Sequence, residues 1–158
     1  MVKSRYYRCL VWLLLLWINS FCFRQVIRIR VINGKTGQPL PRQEVSVSLL
    51  YGIGEKAPAK YDAVLHLETE VNGAAQFTLP ESVPAHLSVG ARLRSQYWHC
   101  GCAAPALVVT QELIEKGIVE GEKLTTPAIP VKAEPGEILF VARPFTLFER
   151  LFYPLLKG

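Results

Sequence analysis

No Gly-x-Ser-x-Gly, His-Glu-x-x-His, phosphate-loop or paired-carboxylate pattern occurs in this chain of 158 residues. The sequence therefore offers no support for the common serine-hydrolase, zinc-peptidase or nucleotide-binding chemistries, and it calls for no cofactor. Long amphipathic helices between strand-like segments are also missing, which excludes a parallel α/β sheet with helical crossovers. The length leaves no room for a catalytic barrel or a two-domain dinucleotide enzyme, whereas a single sandwich with a real core fits. Basic charge is scarcer than the formal +5 implies, because Lys3, Arg5 and Arg8 fall within residues 1–22, where there is no acid. Beyond that segment the excess is small, too small for the dense basic face that phosphate contacts require, so no nucleic-acid partner is expected. Arg24, Arg28 and Arg30 cluster near the start of the remaining chain, and their simplest reading is a solvated strand face.

The N-terminus is the most readable segment. Met1 to Arg8 is basic, Cys9 to Ile18 (CLVWLLLLWI) is apolar, and Asn19-Ser20-Phe21-Cys22 is more polar. That layout is a secretory signal peptide over residues 1–22. Ten helical residues rise only about 15 Å, half of a bilayer core, so cleavage is the expected outcome. The −3/−1 positions would be Ile18/Ser20 or Ser20/Cys22, neither of them the small pair that signal peptidase prefers, which keeps an uncleaved anchor as the alternative. Cys22 lacks a lipobox before it. The expected location is exported: periplasmic or extracellular, with membrane association if the anchor is retained or the tail contacts lipid.

Export governs how the cysteines are read. Cys100 and Cys102 remain after the signal, in Trp98-His99-Cys100-Gly101-Cys102. In an oxidising compartment they are candidates for a small, strained disulfide. A metal site using His99, Cys100 and Cys102 is the sharper reading, although zinc needs a fourth ligand and only His66 and His86 remain to supply it. A redox-active pair is a third reading.

The body, residues 24–143, reads as strands and turns. Gln25 to Ile32 alternates Val26/Arg28/Arg30 with Ile27/Ile29/Val31, and Glu44 to Tyr51 places Val45, Val47 and Leu49 on one face. Ala63 to Thr69 follows, with Val64 and His66 opposite Leu65 and Leu67, and Asn72-Gly73 predicts a type I′ hairpin into Ala75 to Leu79. His86 to Arg94 turns Leu87, Val89, Ala91 and Leu93 inward. Thr110 to Gly117 predicts a short helix capped by Thr110, and Val119 to Pro135 a surface loop. Glu137 to Arg143, apolar on both faces, predicts a central strand. The fold class is all-β: an antiparallel sandwich with one short helix and an amphipathic tail over residues 144–158.

Two motifs carry a family resemblance. Val31-Ile-Asn-Gly-Lys-Thr-Gly-Gln-Pro-Leu-Pro41 before a Val-x-Val strand, and Glu70-Val-Asn-Gly-Ala-Ala-Gln-Phe-Thr-Leu79 later, resemble the carboxypeptidase regulatory-like domains. In that family a first strand leads into x-Gly-x-Pro-Leu-x-Gly-Ala-x-Val, and a Thr-Asp-x-x-Gly-x-[Phe/Tyr] hairpin comes later. The resemblance covers residues 26–94 and departs at Arg42-Gln43 (family Gly-Ala) and Glu70-Val71 (family Thr-Asp). It implies a transthyretin-like or Ig-like β-sandwich, non-catalytic, serving as an accessory module; the C-terminal half is similar to small exported bacterial proteins carrying such a domain. Hydroxyisourate hydrolase shares that fold, but its N-terminal histidine and C-terminal Tyr-Arg-Gly-Ser are not matched here, so the chain is not expected to be an enzyme.

The tail, Pro144 to Gly158, places Phe145, Phe148, Leu151, Phe152 and Leu155 on one helical face, with Pro154 expected to break or kink the helix. The first expectation is that this face packs on the sandwich. The second is that it contacts a protein, another envelope component or a membrane surface, because these side chains would otherwise form a large exposed patch.

Overall fold

A computed structural model describes residues 24–51, 60–94, 97–98, 105–121 and 130–156. Strand propensity and strict alternation produce two sheets. The first contains β1 (Val26–Asn33), β4 (Ala74–Thr78), β6 (Tyr97–Trp98), β8 (Ile118–Glu120) and β9 (Glu137–Pro144). Its order is β4-β1-β9, with β8 and β6 along the far edge of β9. The second runs β3 (Lys60–Glu68), β2 (Glu44–Tyr51), β5 (His86–Arg92), β7 (Ala106–Val109), all antiparallel. Two helices complete the described chain: α1 (Thr110–Lys116) and α2 (Leu147–Leu156).

The sandwich architecture matches the all-β expectation, but the first sheet is mixed rather than antiparallel. β9 runs parallel to β1, pairing Arg28 with Glu137 through Asn33 with Ala142, and parallel to β8 on its other edge. A parallel neighbour needs a long crossover. β1 and β9 lie near opposite ends of the described chain, so everything between them serves as that crossover.

Between the sheets, Ile27, Ile29 and Val31 of β1 and Ile138, Phe140 and Ala142 of β9 meet Val45, Val47, Leu87 and Val89. The opposite face of β9 is covered as well. Leu139 and Val141 pack with Ile32 and Ala133, flanked by Val119 and Val131. This corrects the surface-loop expectation for Val119 to Pro135: part of it is strand β8, and Val131 and Ala133 close a second small core. It also explains why β9 reads as apolar on both faces. Each large side chain so buried contributes roughly 1.5–3 kcal/mol relative to exposure.

Asn72-Gly73 makes a turn but not the type I′ hairpin that was expected. Gly73 has φ 70° whereas Asn72 has no positive φ, and the turn closes through Gly73 N donating to Glu70 O and Glu70 N to Ala74 O. The strands on either side then separate into different sheets, β3 pairing with β2 and β4 with β1. Gly73 lies against the β1–β2 connection, where a Cβ would fall 2.7 Å from Pro39 Cβ and 2.9 Å from Val31 O. Held there, Gly73 O accepts from Val31 N and continues the β1–β4 ladder. Thr110 likewise is not a cap. It is the first helical residue after Val109, its hydroxyl buried without a partner among the described residues, while Gly117 ends α1 as expected at φ 72°.

Arg30 departs from the solvated-face expectation. Its guanidinium holds the buried Glu137 carboxylate in a two-point pair, Nε to Oε1 at 2.5 Å and Nη2 to Oε2 at 3.0 Å, and Oε2 also accepts from Glu134 N. Glu137 is 1% exposed, so removing its partner strands a charge out of water. Replacing Arg30 with Ala should therefore destabilise the domain by about 3 kcal/mol in denaturant unfolding, whereas Arg92→Ala, which breaks the exposed 3.7 Å pair with Glu44, should cost less than about 1 kcal/mol.

A second network joins the β1–β2 connection to the ends of β3 and β5. Thr69 Oγ1 accepts from Gln43 N and donates to Leu40 O, and Gln43 Oε1 accepts from Arg94 N. The turn into it forces Arg42 to φ 56°, the only non-glycine with positive φ among the described residues. A left-handed non-glycine residue costs roughly 1–2 kcal/mol, partly offset in the unfolded state when glycine replaces it. Arg42→Gly should thus raise stability by about 0.5–1 kcal/mol, read as a higher melting temperature, and Arg42→Val should lower it.

Candidate interaction surface

The tail is built from the end of β9 outward. Arg143 and Pro144 are the last residues of β9, and Phe145 turns inward, 7% exposed. Thr146 then caps α2. Its Oγ1 accepts from Glu149 N at 3.3 Å, and its own N–H donates to Glu149 Oε2 at 2.8 Å. This Thr-x-x-Glu reciprocal cap satisfies two backbone donors that a helix start leaves open. Arg143 reaches over the same carboxylate with Nη1 to Oε2 at 2.7 Å and Nη2 to Oε1 at 2.5 Å. The helix is thereby latched to the central strand of the first sheet.

Those bonds hold the charged form of Glu149. The Arg143 guanidinium first, and the Thr146 amide second, lower its carboxyl from 4.5 to about 2; the same contact raises Arg143. A carboxyl depressed on folding stabilises most above its unfolded pKa, and that contribution fades as pH falls from about 4.5 to about 2.

The described apolar side chains of α2 do not pack on the sandwich, which corrects the first expectation for them. Leu147 is 77% exposed, Phe148 69%, Leu151 66% and Phe152 41%. Phe148 and Phe152, one turn apart, stack with ring centroids 4.3 Å apart. Phe145, predicted on that face, is buried instead: the helix starts only after the Thr146 cap, so helical spacing does not reach back to it. Leu155 lies in the helix at the matching register, its side chain outside the described residues. The helix also continues through Pro154 to Leu156. A proline in a last turn removes a single helical bond, which one terminal turn tolerates.

The remaining candidates separate. His99, Cys100 and Cys102 lie outside the described residues. His66, exposed on β3, and His86 on β5 flank β2 four register positions apart, aligned with Ser46 and Leu50, so they share no ligand sphere. Among the described residues no cluster of three or more His, Cys, Asp or Glu can hold a metal. An open cleft of about 520 Å³ runs over Glu44, Ser46, His66, Glu68 and Arg92 on the outer face of the second sheet. Glu44 and Glu68 face each other there across β2 and β3, but the Glu44 carboxylate is 69% exposed and pairs with Arg92, the arrangement of a solvated surface. No family model, curated protein or solved structure matches the chain. Sequence reasoning missed Thr146 and Glu149 as the residues that hold the surface, although the Thr146-Leu-Phe-Glu149 spacing is itself a helix-start signature.

The latch predicts a local response to pH. Amide exchange over residues 147–156 should accelerate in the wild type between pH 4.5 and 2, after correction for intrinsic rates, and Glu149→Gln should be fast at neutral pH with no further change in that window. Thr146→Ala should weaken the helix start by about 1 kcal/mol without moving the exchange of β9.

Proposed function

We propose that this chain is an exported, non-catalytic β-sandwich module that acts in binding or assembly at the cell envelope, periplasmic or extracellular. The observation that carries the reading is the face of Leu147, Phe148, Leu151 and Phe152, held open by a specific latch rather than folded onto the core. Water-exposed Phe and Leu at this density have a use when a partner covers them. The basic, apolar and polar order of residues 1–22 supports delivery across a membrane.

The finer fold assignment, a transthyretin-like sandwich of the carboxypeptidase regulatory-like kind, is part of the same proposal. Arg42 takes up a left-handed conformation where the resembled pattern carries glycine, and Gly37 of the Gly-x-Pro-Leu motif has φ 70°. Thr69-Glu70-Val71-Asn72-Gly73 also aligns with the Thr-Asp-x-x-Gly of that family, with Glu70 in place of Asp. In that register Thr69 is the buried hydroxyl that ties Leu40 and Gln43 together.

Expression of the full chain followed by cell fractionation and intact mass tests this. The chain should be recovered in the exported fraction, and Cys100→Ser with Cys102→Ser should lower stability at most while leaving envelope association in place. Recovery in the cytosol would contradict export. Stoichiometric zinc or copper, with association lost in the serine variants, would favour a metal- or thiol-dependent protein centred on His99, Cys100 and Cys102.

A further inference from the structure

Three properties of α2 narrow the class of its partner. The first is area. The four exposed side chains described on α2 offer on the order of 500 Å² of apolar surface, arranged as one stripe along a single helix. A helix lying in a lipid headgroup boundary needs no more than one such stripe.

The second is charge. Arg143 neutralises Glu149, so Arg150 is the exposed charge that α2 presents, on the side opposite Phe148, and Lys157 follows in sequence. An apolar stripe backed by a cation complements an anionic bilayer surface, with the long Arg150 stem free to reach headgroups.

The third is the length of chain before β1. Cys9 to Ile18 is a bilayer-seeking run, and seven residues, eight steps of the chain, separate Ile18 from Val26. Fully extended, they reach about 26–29 Å, comparable to the ~26 Å length of an eight-residue strand. The same chain therefore brings the sandwich to a membrane at export, within one domain length of it.

We infer that α2 is an interfacial helix whose occupant is an anionic lipid surface, entered by Phe148, Leu151 and Phe152. This deepens the envelope-module reading and rests on it. The latch keeps the helix formed before contact, so binding does not bear the cost of folding a ten-residue segment that would be marginal alone.

The test uses the full chain as recovered from cells, with vesicles of phosphatidylcholine containing phosphatidylglycerol and vesicles of phosphatidylcholine alone. A Phe148→Trp variant, read as its difference from the parent, should show blue-shifted emission and quenching by brominated lipid on the anionic vesicles, weakening as salt rises. Leu151→Glu should reduce vesicle partition at least about tenfold with unchanged melting temperature, and Leu151→Ser should fall between it and the wild type. Emission of the Phe148→Trp variant that stays at its aqueous value with saturating anionic vesicles would overturn the inference. A concentration-dependent doubling of mass that Leu151→Glu abolishes would overturn it in favour of a second copy of this chain. Either result, obtained with a chain that still fractionates with the envelope, would leave the broader reading intact; recovery in the cytosol would remove both.

Discussion

The constraint on which the structure depends is the absence of a solvent face on β9. Its residues from Glu137 to Ala142 are all buried, with β1 on one edge, β8 and β6 on the other, the main core on one face and Leu139 and Val141 under Ala133 on the other. A strand in that position must be apolar on both faces, and the carboxylate of Glu137, its one fully buried charge, must be neutralised in place. Arg30 does so from the parallel neighbour, which couples the register of the first strand to that of the last.

The same strand positions the candidate surface. Arg143 is a residue of β9, and the carboxylate it holds belongs to the first turn of α2. Core and helix are therefore linked through one two-point ion pair and one reciprocal cap. A helix latched at its start can be well oriented while exposed apolar side chains stay in water, which is the arrangement seen in Phe148, Leu151 and Phe152. Phe145 marks the boundary: the residue before the cap belongs to the domain, and the aromatic residues after it belong to whatever the domain meets.

Much of this was legible in the residues. Alternation in Val45, Val47 and Leu49 and in Ile27, Ile29 and Val31 assigns the inner faces, and the double apolarity of Glu137 to Ala142 marks the centre. What stayed hidden depended on partners distant in sequence. Asn72-Gly73 signals a turn from its own chemistry, but the flanking strands pair with β1 and β2, far back in the chain, and not with each other. Arg30 resembles any strand-surface cation until Glu137, 107 residues away, is placed beside it. The parallel pairing of β1 and β9 has no local signature at all. In the tail the helical spacing was right and its origin wrong, because the Thr146 cap decides where the spacing begins. His99, Cys100 and Cys102 lie outside the described residues, and the reading of that segment stays with the sequence.

The account rests on a rigid sandwich that displays a preformed helix with an unsatisfied apolar face. Amide exchange of the full chain, recorded residue by residue with and without anionic vesicles, tests it most directly. Slow exchange in β9 under both conditions, with residues 147–156 protected relative to an unstructured chain but less than β9 in solution, and slowing further when vesicles are added, is the predicted result. Exchange in residues 147–156 at the rate of an unstructured chain in solution, exchange already as slow as in β9, or exchange that vesicles leave unchanged would contradict it.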